Sequence, residues 1–308
     1  MNKTKIILDC DPGHDDAVAI ILSVKSPKID LLGVTVSSGN QTIEKTSRNA
    51  YNVVKYLGSD VPVAIGSTHP IIRDVEVCEA IHGESGLDGF TFPNYDYKFD
   101  KRHAVNFIID TLLENENVTM VVTGPLTNFA LALRINPNIK SHIKEVVLMG
   151  GSIANGNVSP AAEFNILCDP EAADIVFRSG LIVKMVGLDV TRKVLLYPEI
   201  LESFKSIDTK QAKLFYDLMI IFNENQAQTF GFKGAPLHDP ATILSIIDEN
   251  LITFKKMNVE IDLSHGCSYG RTNCDSYNYL KKEANAYVAV DIDVDRYWEL
   301  IKEHLSIK

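Results

Sequence analysis

No apolar stretch of about 18 residues occurs anywhere in the chain, so nothing in it reads as a membrane-spanning helix. The apolar run after Lys3 and Lys5 stops at Asp9, too soon for the core of a signal peptide. Cysteine is sparse and odd in number: Cys10, Cys78, Cys168, Cys267 and Cys274 include no C-x-x-C pair. They read as the reduced thiols of a cytoplasmic protein, not as a disulfide framework or a zinc site. Positive charge is short as well, with 30 Lys and Arg against 40 Asp and Glu and a formal net charge of -10. Nucleic acid and anionic membrane both demand a basic face, so neither is an expected partner, and a neutral or cationic small molecule fits better. Linkers, repeats and low-complexity tracts are missing too. With 45% hydrophobic residues over 308 positions, the chain reads as a single domain spanning residues 1–308.

What is present is an alternation. β-Branched apolar runs at Lys5–Leu8, Leu31–Val36, Val61–Ile65, Val118–Val122, Glu145–Met149 and Leu181–Gly187 are separated by helix-like segments. Those segments are Asp15–Lys25, Ile43–Tyr56, His103–Glu114, Leu126–Arg134 and Pro170–Arg178. The pattern predicts an α/β fold, a mostly parallel Rossmann-like sheet with helices on both faces and a site at the carboxyl ends of the strands. Further on, a helical stretch from Pro198 to Phe230 breaks near Asp208, and a helix opens at His238-Asp239-Pro240. Two strands follow at Met257–Leu263 and Ala286–Asp291, able to pair antiparallel, before an amphipathic helix at Val294–Leu305. Two glycine-bearing irregular stretches, Glu79–Asp100 and Gly231–Pro236, are candidate lids.

The chemistry concentrates at the first corner. In KIILDCDPGHDDAVA, an apolar strand runs into Asp9, Asp11, Asp15 and Asp16, then through Pro12-Gly13 into a helix. Two carboxylates about 5 Å apart repel by roughly 3 kcal/mol at an effective dielectric of about 20. A helix N-terminus offsets only about 0.3–1 kcal/mol for each. An all-oxygen cluster without Cys or paired His therefore points to a hard divalent cation, Ca²⁺ or Mg²⁺. Other strand ends are also polar or small: Ser37-Ser38-Gly39-Asn40, Thr123-Gly124-Pro125, Gly150-Gly151 and Asp189-Val190-Thr191.

Asp9 to Ala19 matches DxDPGxDDxxA, and on that block the chain resembles the inosine-uridine preferring nucleoside hydrolases. The resemblance extends through Glu163-Phe164-Asn165 with Asp169-Pro170-Glu171-Ala172-Ala173, the G-P-L-T-N turn after Thr123, and His238-Asp239. It implies a Ca²⁺-dependent enzyme that cleaves the N-glycosidic bond of ribonucleosides. The implied metal ligands are Asp11, Asp16, Asp239 and the main-chain carbonyl of Thr123. The implied ribose contacts are Asp15, Asn40, Met149, Asn157, Glu163, Phe164 and Asn165, with Glu163 and Asn165 on one side of an extended stretch. Asp11 is the implied general base. His238 and, in the loop His82-Gly83-Glu84-Ser85-Gly86, His82 are the two candidates for activating the departing base; His14, His69 and His103 are left as structural. Base selectivity is expected from the helix-like stretch Phe222–Phe232, on which Gln226 and Phe230, four apart, share a face.

That loop, the opening block and Tyr269–Asp275 look most like the bacterial branch that favours pyrimidine ribosides. Relatives of this kind are dimers or tetramers, so the resemblance also implies a homo-oligomer. Two alternatives stay open on the residues alone. Asp9-x-Asp11 after a strand resembles the nucleophile motif of Mg²⁺ phosphohydrolases, although Gly13 stands where that motif has Thr or Val. A non-catalytic nucleoside- or sugar-binding protein would keep Asn157, Glu163 and Asn165 without needing Asp11.

Overall fold

A computed structural model describes residues 3–308. Strand β1 (Thr4–Cys10) lies in the middle of an eight-stranded sheet, flanked on one side by β2 (Ile29–Val36) and then β3 (Val63–Ile65). On the other side follow β4 (Val118–Val122), β5 (Ile143–Met149), β6 (Val183–Val186), Ala286–Ile292 and, at the edge, Ile252–Met257. All neighbouring pairs are parallel except the last.

Period-two alternation sends successive side chains to opposite faces. Ile6, Leu8 and Cys10 enter one core with α1 (His14–Lys25), α2 (Ile43–Tyr56), the long helix Lys210–Phe230, Pro240–Ile247 and the C-terminal Val294–Leu305. Ile7 enters the other, with Ala104–Leu113, Thr127–Ile135 and Pro170–Phe177. The predicted α/β class, the parallel sheet and the helices on both faces are all present. Among the described residues no helix is long and apolar enough to cross a membrane.

The strand order puts the reversal of winding between β1 and β4, since the chain leaves β1 towards β2 on one side and returns as β4 on the other. In doubly wound sheets a crevice opens at that switch point, beyond the carboxyl ends of the strands.

Four expectations need correction. Met257–Leu263 is not one strand of the main sheet: Ile252–Met257 forms the antiparallel edge, and Val259–Ile261 turns off to pair with Thr272–Cys274 in a separate ribbon. The edge strand escaped notice because Lys255 and Lys256 break its apolar pattern, as charges on an edge strand do. Glu163 and Asn165 do not share an extended stretch, because Glu163 caps a short helix, Phe164–Cys168, that contains Asn165. The Glu79–Asp100 stretch contains a helical turn, α3 (Glu79–His82). The break near Asp208 is wider than expected, with the helix Pro198–Glu202 ending well before Lys210. Thr209 caps the long helix that begins there, its Oγ1 accepting from the Ala212 N–H, and Gly231 ends it in the left-handed region at φ +73°.

Candidate active site

Asp11 follows β1 by one residue and Thr123 follows β4 by one, so both stand at the switch point. The Asp11 side chain is wholly buried. Its Oδ2 accepts from the Asn40 main-chain N–H at 2.6 Å, and its Oδ1 has no partner. Two glycines make this possible: a Cβ at Gly39 would stand 2.1 Å from Oδ2, and one at Gly124 would stand 2.6 Å from Oδ1. Beneath it, Asp9 Oδ1 accepts from Thr35 Oγ1 at 2.7 Å and from Asn128 Nδ2 at 2.9 Å.

Asp16, in the first turn of α1, is the most fully bound of the acids. Its Oδ1 accepts from Thr123 Oγ1 at 2.7 Å, and its Oδ2 from the Gly13 N–H and Asn40 Nδ2, each at 3.0 Å. Carboxylate oxygens of Asp15, Asp16 and Asp239 lie within 4.8 Å of one another. Asp239 arrives from a distant part of the chain, at the N-terminus of Pro240–Ile247. The segment just before it is held by Tyr297, whose buried hydroxyl donates to the Leu237 carbonyl at 2.8 Å.

Burial makes these charges costly. It raises Asp15 to about 7, with the Asp16 charge adding to the shift, and Asp16 to about 6 against the hydrogen bonds from Gly13 and Thr123. Asp11 and Asp239 are raised well above the usual range, by burial first and then by neighbouring carboxylates. An oxygen-only donor set, crowded with buried like charge and carrying an orphaned Asp11 Oδ1, suits a hard divalent cation. Against expectation, Asp15 rather than Asp11 meets Asp16 and Asp239 in the tight trio, because the Asn40 amide turns Asp11 towards itself. The Thr123 carbonyl already accepts from Asn165 Nδ2 at 2.7 Å, which leaves one lone pair.

Above the acids lies a cleft of about 820 Å³, measured out to its open mouth. Its lining gathers Asp15, Asn40, Thr123, Met149, Asn157, Glu163, Phe164, Asn165, Gln226, Phe230, His82, His238 and Asp239 from well-separated parts of the chain. Asp11 and Asp16 are buried behind this lining. Glu163 spends its carboxylate on the backbone: Oε1 accepts from the Asn165 N–H, and Oε2 from Gly151 and Ile166 N–H, all at 3.0–3.1 Å. Asn165 Nδ2 also donates to the Met149 carbonyl at 3.1 Å, and Asn157 Oδ1 accepts from the Phe164 N–H at 2.9 Å. The Tyr269–Asp275 stretch stays outside the cleft. It braces the glycine turn after β5, with the Thr272 hydroxyl bonded to both the N–H and the carbonyl of Ser152.

Both candidate imidazoles border the cleft. His82 Nδ1 accepts from the His14 main-chain N–H at 3.1 Å and lies 3.2 Å from His14 Nδ1. His14, His82 and Phe222 stack with centroids 5.3–5.8 Å apart, so His14 supports the site instead of standing apart from it. His103 caps the helix Ala104–Leu113, as a structural residue would. His238 Nδ1 sits 2.7 Å from Thr191 Oγ1. Burial lowers His14 to about 4 and His82 well below its ordinary value, and burial with the Arg192 charge lowers His238 to about 3. At neutral pH all three rings are uncharged.

Ile81, Phe222, Phe230 and Phe232 give the cleft its aromatic and apolar lining, along with Gln226, whose buried Oε1 has no partner. Asn225 Nδ2 donates to the Ile81 carbonyl at 3.0 Å, tying α3 to the long helix. Phe222 opens the stretch Phe222–Phe232 expected to set base selectivity, and its position four before Gln226 puts it on the same helical face, although only Gln226 and Phe230 were singled out there. Sequence reasoning missed Arg192, for which the sequence carries no local signal, while Thr191 was legible only as part of the polar strand end Asp189-Val190-Thr191.

Residues 6–299 match the family model described as inosine-uridine preferring nucleoside hydrolase. The pyrimidine-specific ribonucleoside hydrolase RihB of Escherichia coli strain K12 is 45% identical over 304 residues, covering 98% of this chain and 97% of that protein. RihB of Escherichia fergusonii matches equally. Among solved structures, a purine-preferring ribonucleoside hydrolase from Gardnerella vaginalis superposes with a TM-score of 0.92 at 36% identity, covering 98% of each chain. A plant nucleoside hydrolase superposes with a TM-score of 0.93 at 32% identity, covering 99% of each.

Proposed function

The chain belongs to the inosine-uridine preferring nucleoside hydrolase family, and on that premise we propose that it hydrolyses pyrimidine ribonucleosides to ribose and free base in nucleoside salvage, with Ca²⁺ as its metal. Family membership sets aside the phosphohydrolase alternative, and the enzyme names of the relatives set aside the pure binding protein. The observation that carries the reading is the unpartnered Asp11 Oδ1, held at the switch point between an acidic cluster and the cleft.

Asp11, Asp16, Asp239 and the Thr123 carbonyl, with Asp15 beside them, would hold the ion. When bound, Ca²⁺ supplies positive charge that keeps these carboxylates ionised and makes nearby water more acidic. Asp11 Oδ1 takes the proton of the attacking water, which adds to the anomeric carbon as the C–N bond lengthens. Asp15, Asn40, Asn157, Glu163 and Asn165 orient the ribose, with Met149 and Phe164 packed against it. The oxygen-rich surround favours the positive charge that the sugar acquires in an oxocarbenium-like transition state. The departing base takes the bonding electron pair, and the neutral rings of His238 and His82 face it as hydrogen-bond donors.

Base preference rests on the aromatic and apolar lining of the cleft. Gln226 Oε1 is a buried acceptor without a partner, suited to the ring N–H of uracil or the amino group of cytosine, with Phe222 and Phe230 beside it. The 45% identity to proteins named pyrimidine-specific supports the same preference. The superposition on a purine-preferring enzyme favours a second reading, in which inosine is the better substrate. Five free cysteines suit a cytoplasmic enzyme, and self-association as a tetramer or dimer completes the reading.

The test is ribose release from uridine, cytidine, inosine and adenosine, with and without a calcium-depleting chelator. Faster release from uridine or cytidine, suppressed by chelation and restored by Ca²⁺, is expected. Faster release from inosine would overturn the pyrimidine preference. No release from any of the four by the metal-loaded protein would overturn the proposed activity.

A further inference from the structure

Thr191 ends the short helix Leu188–Thr191 that follows β6, and its side chain is completely buried. A threonine in a helical turn usually returns its hydroxyl proton to a carbonyl one turn back. Here the Gly187 carbonyl receives the Thr191 main-chain N–H, at 3.2 Å, and the hydroxyl turns away from it. Its one hydrogen-bond partner among the described residues is His238 Nδ1, at 2.7 Å. A hydroxyl always carries a proton to donate, and a buried one that is left without an acceptor is costly. The proton therefore points at Nδ1, which must present a lone pair. The other ring nitrogen, Nε2, then bears the hydrogen, on a ring that lines the cleft.

We propose that Thr191 is a positioning residue that holds His238 as its Nε2–H tautomer, so that a neutral imidazole donates a hydrogen bond to the departing base. The proposal rests on the reading of the cleft as a nucleoside site. No proton leaves His238 in this step. The bond between the anomeric carbon and the base nitrogen breaks, its electron pair stays on the base, and the Nε2–H bond offsets the charge gathering there. The base takes its proton from solvent afterwards, matching the proton that Asp11 took from the attacking water. The opposite tautomer would aim a lone pair at the electron-rich base.

The backbone at His238 does not depend on Thr191. The Leu237 N–H donates to the Val194 carbonyl at 3.2 Å, and the Leu237 carbonyl accepts from Tyr297. Replacing the hydroxyl by a methyl group of similar size therefore frees the ring without displacing its chain.

The experiment compares the full-length wild type with Thr191→Val and Thr191→Ser. In ¹⁵N-histidine-labelled protein, the His238 ring, assigned by its loss in His238→Asn, is read for tautomer by long-range ¹H–¹⁵N correlation. Wild type and Thr191→Ser are expected to show Nε2–H, and Thr191→Val a mixture. A wild-type Nδ1–H tautomer would overturn the proposal. This readout needs no turnover, so it stands apart from failure of the proposed activity, which would appear as a wild type that releases no ribose.

Kinetics supply the second arm. On uridine, Thr191→Val should lose on the order of tenfold in kcat with little change in KM, and Thr191→Ser should restore most of it. On 5-fluorouridine, whose base departs more readily and needs less help, the Val deficit should shrink. Equal losses on both substrates, equal losses in Val and Ser, or no loss at all would each overturn the proposal.

Discussion

Removing the divalent cation should destabilise the protein by an amount that grows with pH. Metal-free, Asp15 titrates at about 7 and Asp16 at about 6 in the folded chain, against an ordinary value of 3.8 for each. Folding therefore tightens their hold on protons. Each contributes stability that is complete below about pH 4 and is lost as pH rises through its folded value. Between about pH 5.5 and about pH 7.5 the loss comes to about 2 kcal/mol from Asp15 and about 1 kcal/mol from Asp16. Part of both shifts is one shared repulsion, so about 2 kcal/mol in all is the better figure. The buried histidines pull the other way, since His14 and His238 resist protonation and weaken the fold as pH drops below about 6.5. That opposing trend is common to metal-bound and metal-free protein. The difference in Tm between Ca²⁺ and chelator cancels it, and with it the need to know its size. Bound metal holds the acids ionised, so the Ca²⁺ increment should rise by about 3 °C across that range. Differential scanning calorimetry at matched ionic strength measures it directly, and Asp16→Asn should flatten it. An increment that is independent of pH, or one that shrinks as pH rises, would refute the assignment of the metal to these buried acids.

Asp11→Asn should cut ribose release by at least about 10³-fold while leaving circular dichroism and melting close to wild type, because it removes the base and one buried like charge together. Normal activity in that variant would refute the role of Asp11. Gly39→Ala puts a methyl group 2.1 Å from Asp11 Oδ2 as it now stands, so kcat should fall by about 10²-fold through a displaced Asp11; unchanged kcat would show that the cradle is slack. Gln226→Ala should raise KM for uridine by about tenfold, and an unaltered KM would take Gln226 out of base recognition.

Much of this site was legible because its chemistry is local. Asp11, Asp15 and Asp16 stand within one strand-to-helix corner, where a run of six residues fixes which acids can meet. The continuous apolar runs of β1 and β4, buried on both faces of the sheet, and the helix-like segments between such runs likewise predicted a mostly parallel sheet with helices on both sides. The edge strand Ile252–Met257 was not legible, because lysines exposed at a sheet edge interrupt the apolar run that marks buried strands. Glu163 and Asn165 were assigned to the cleft but to the wrong backbone, since only the cap bonds to the Asn165 and Ile166 N–H groups reveal the helical turn.

Local sequence determined the acidic corner, the class of fold and, through its motifs, the family. Tertiary structure alone decided the partners that lie far apart in the chain. Asp239 reaches Asp15 and Asp16 across more than two hundred residues, and Thr123 reaches Asp16 across 107. His14 backs His82 at a separation of 68, and Thr191 backs His238 at 47. Periodicity and turn chemistry act over a few residues, so they can say what a strand end carries but not which other strand end stands beside it. That was settled by the order of strands in the sheet, which put the reversal of winding between β1 and β4 and brought Asp11 and Thr123 to one crevice.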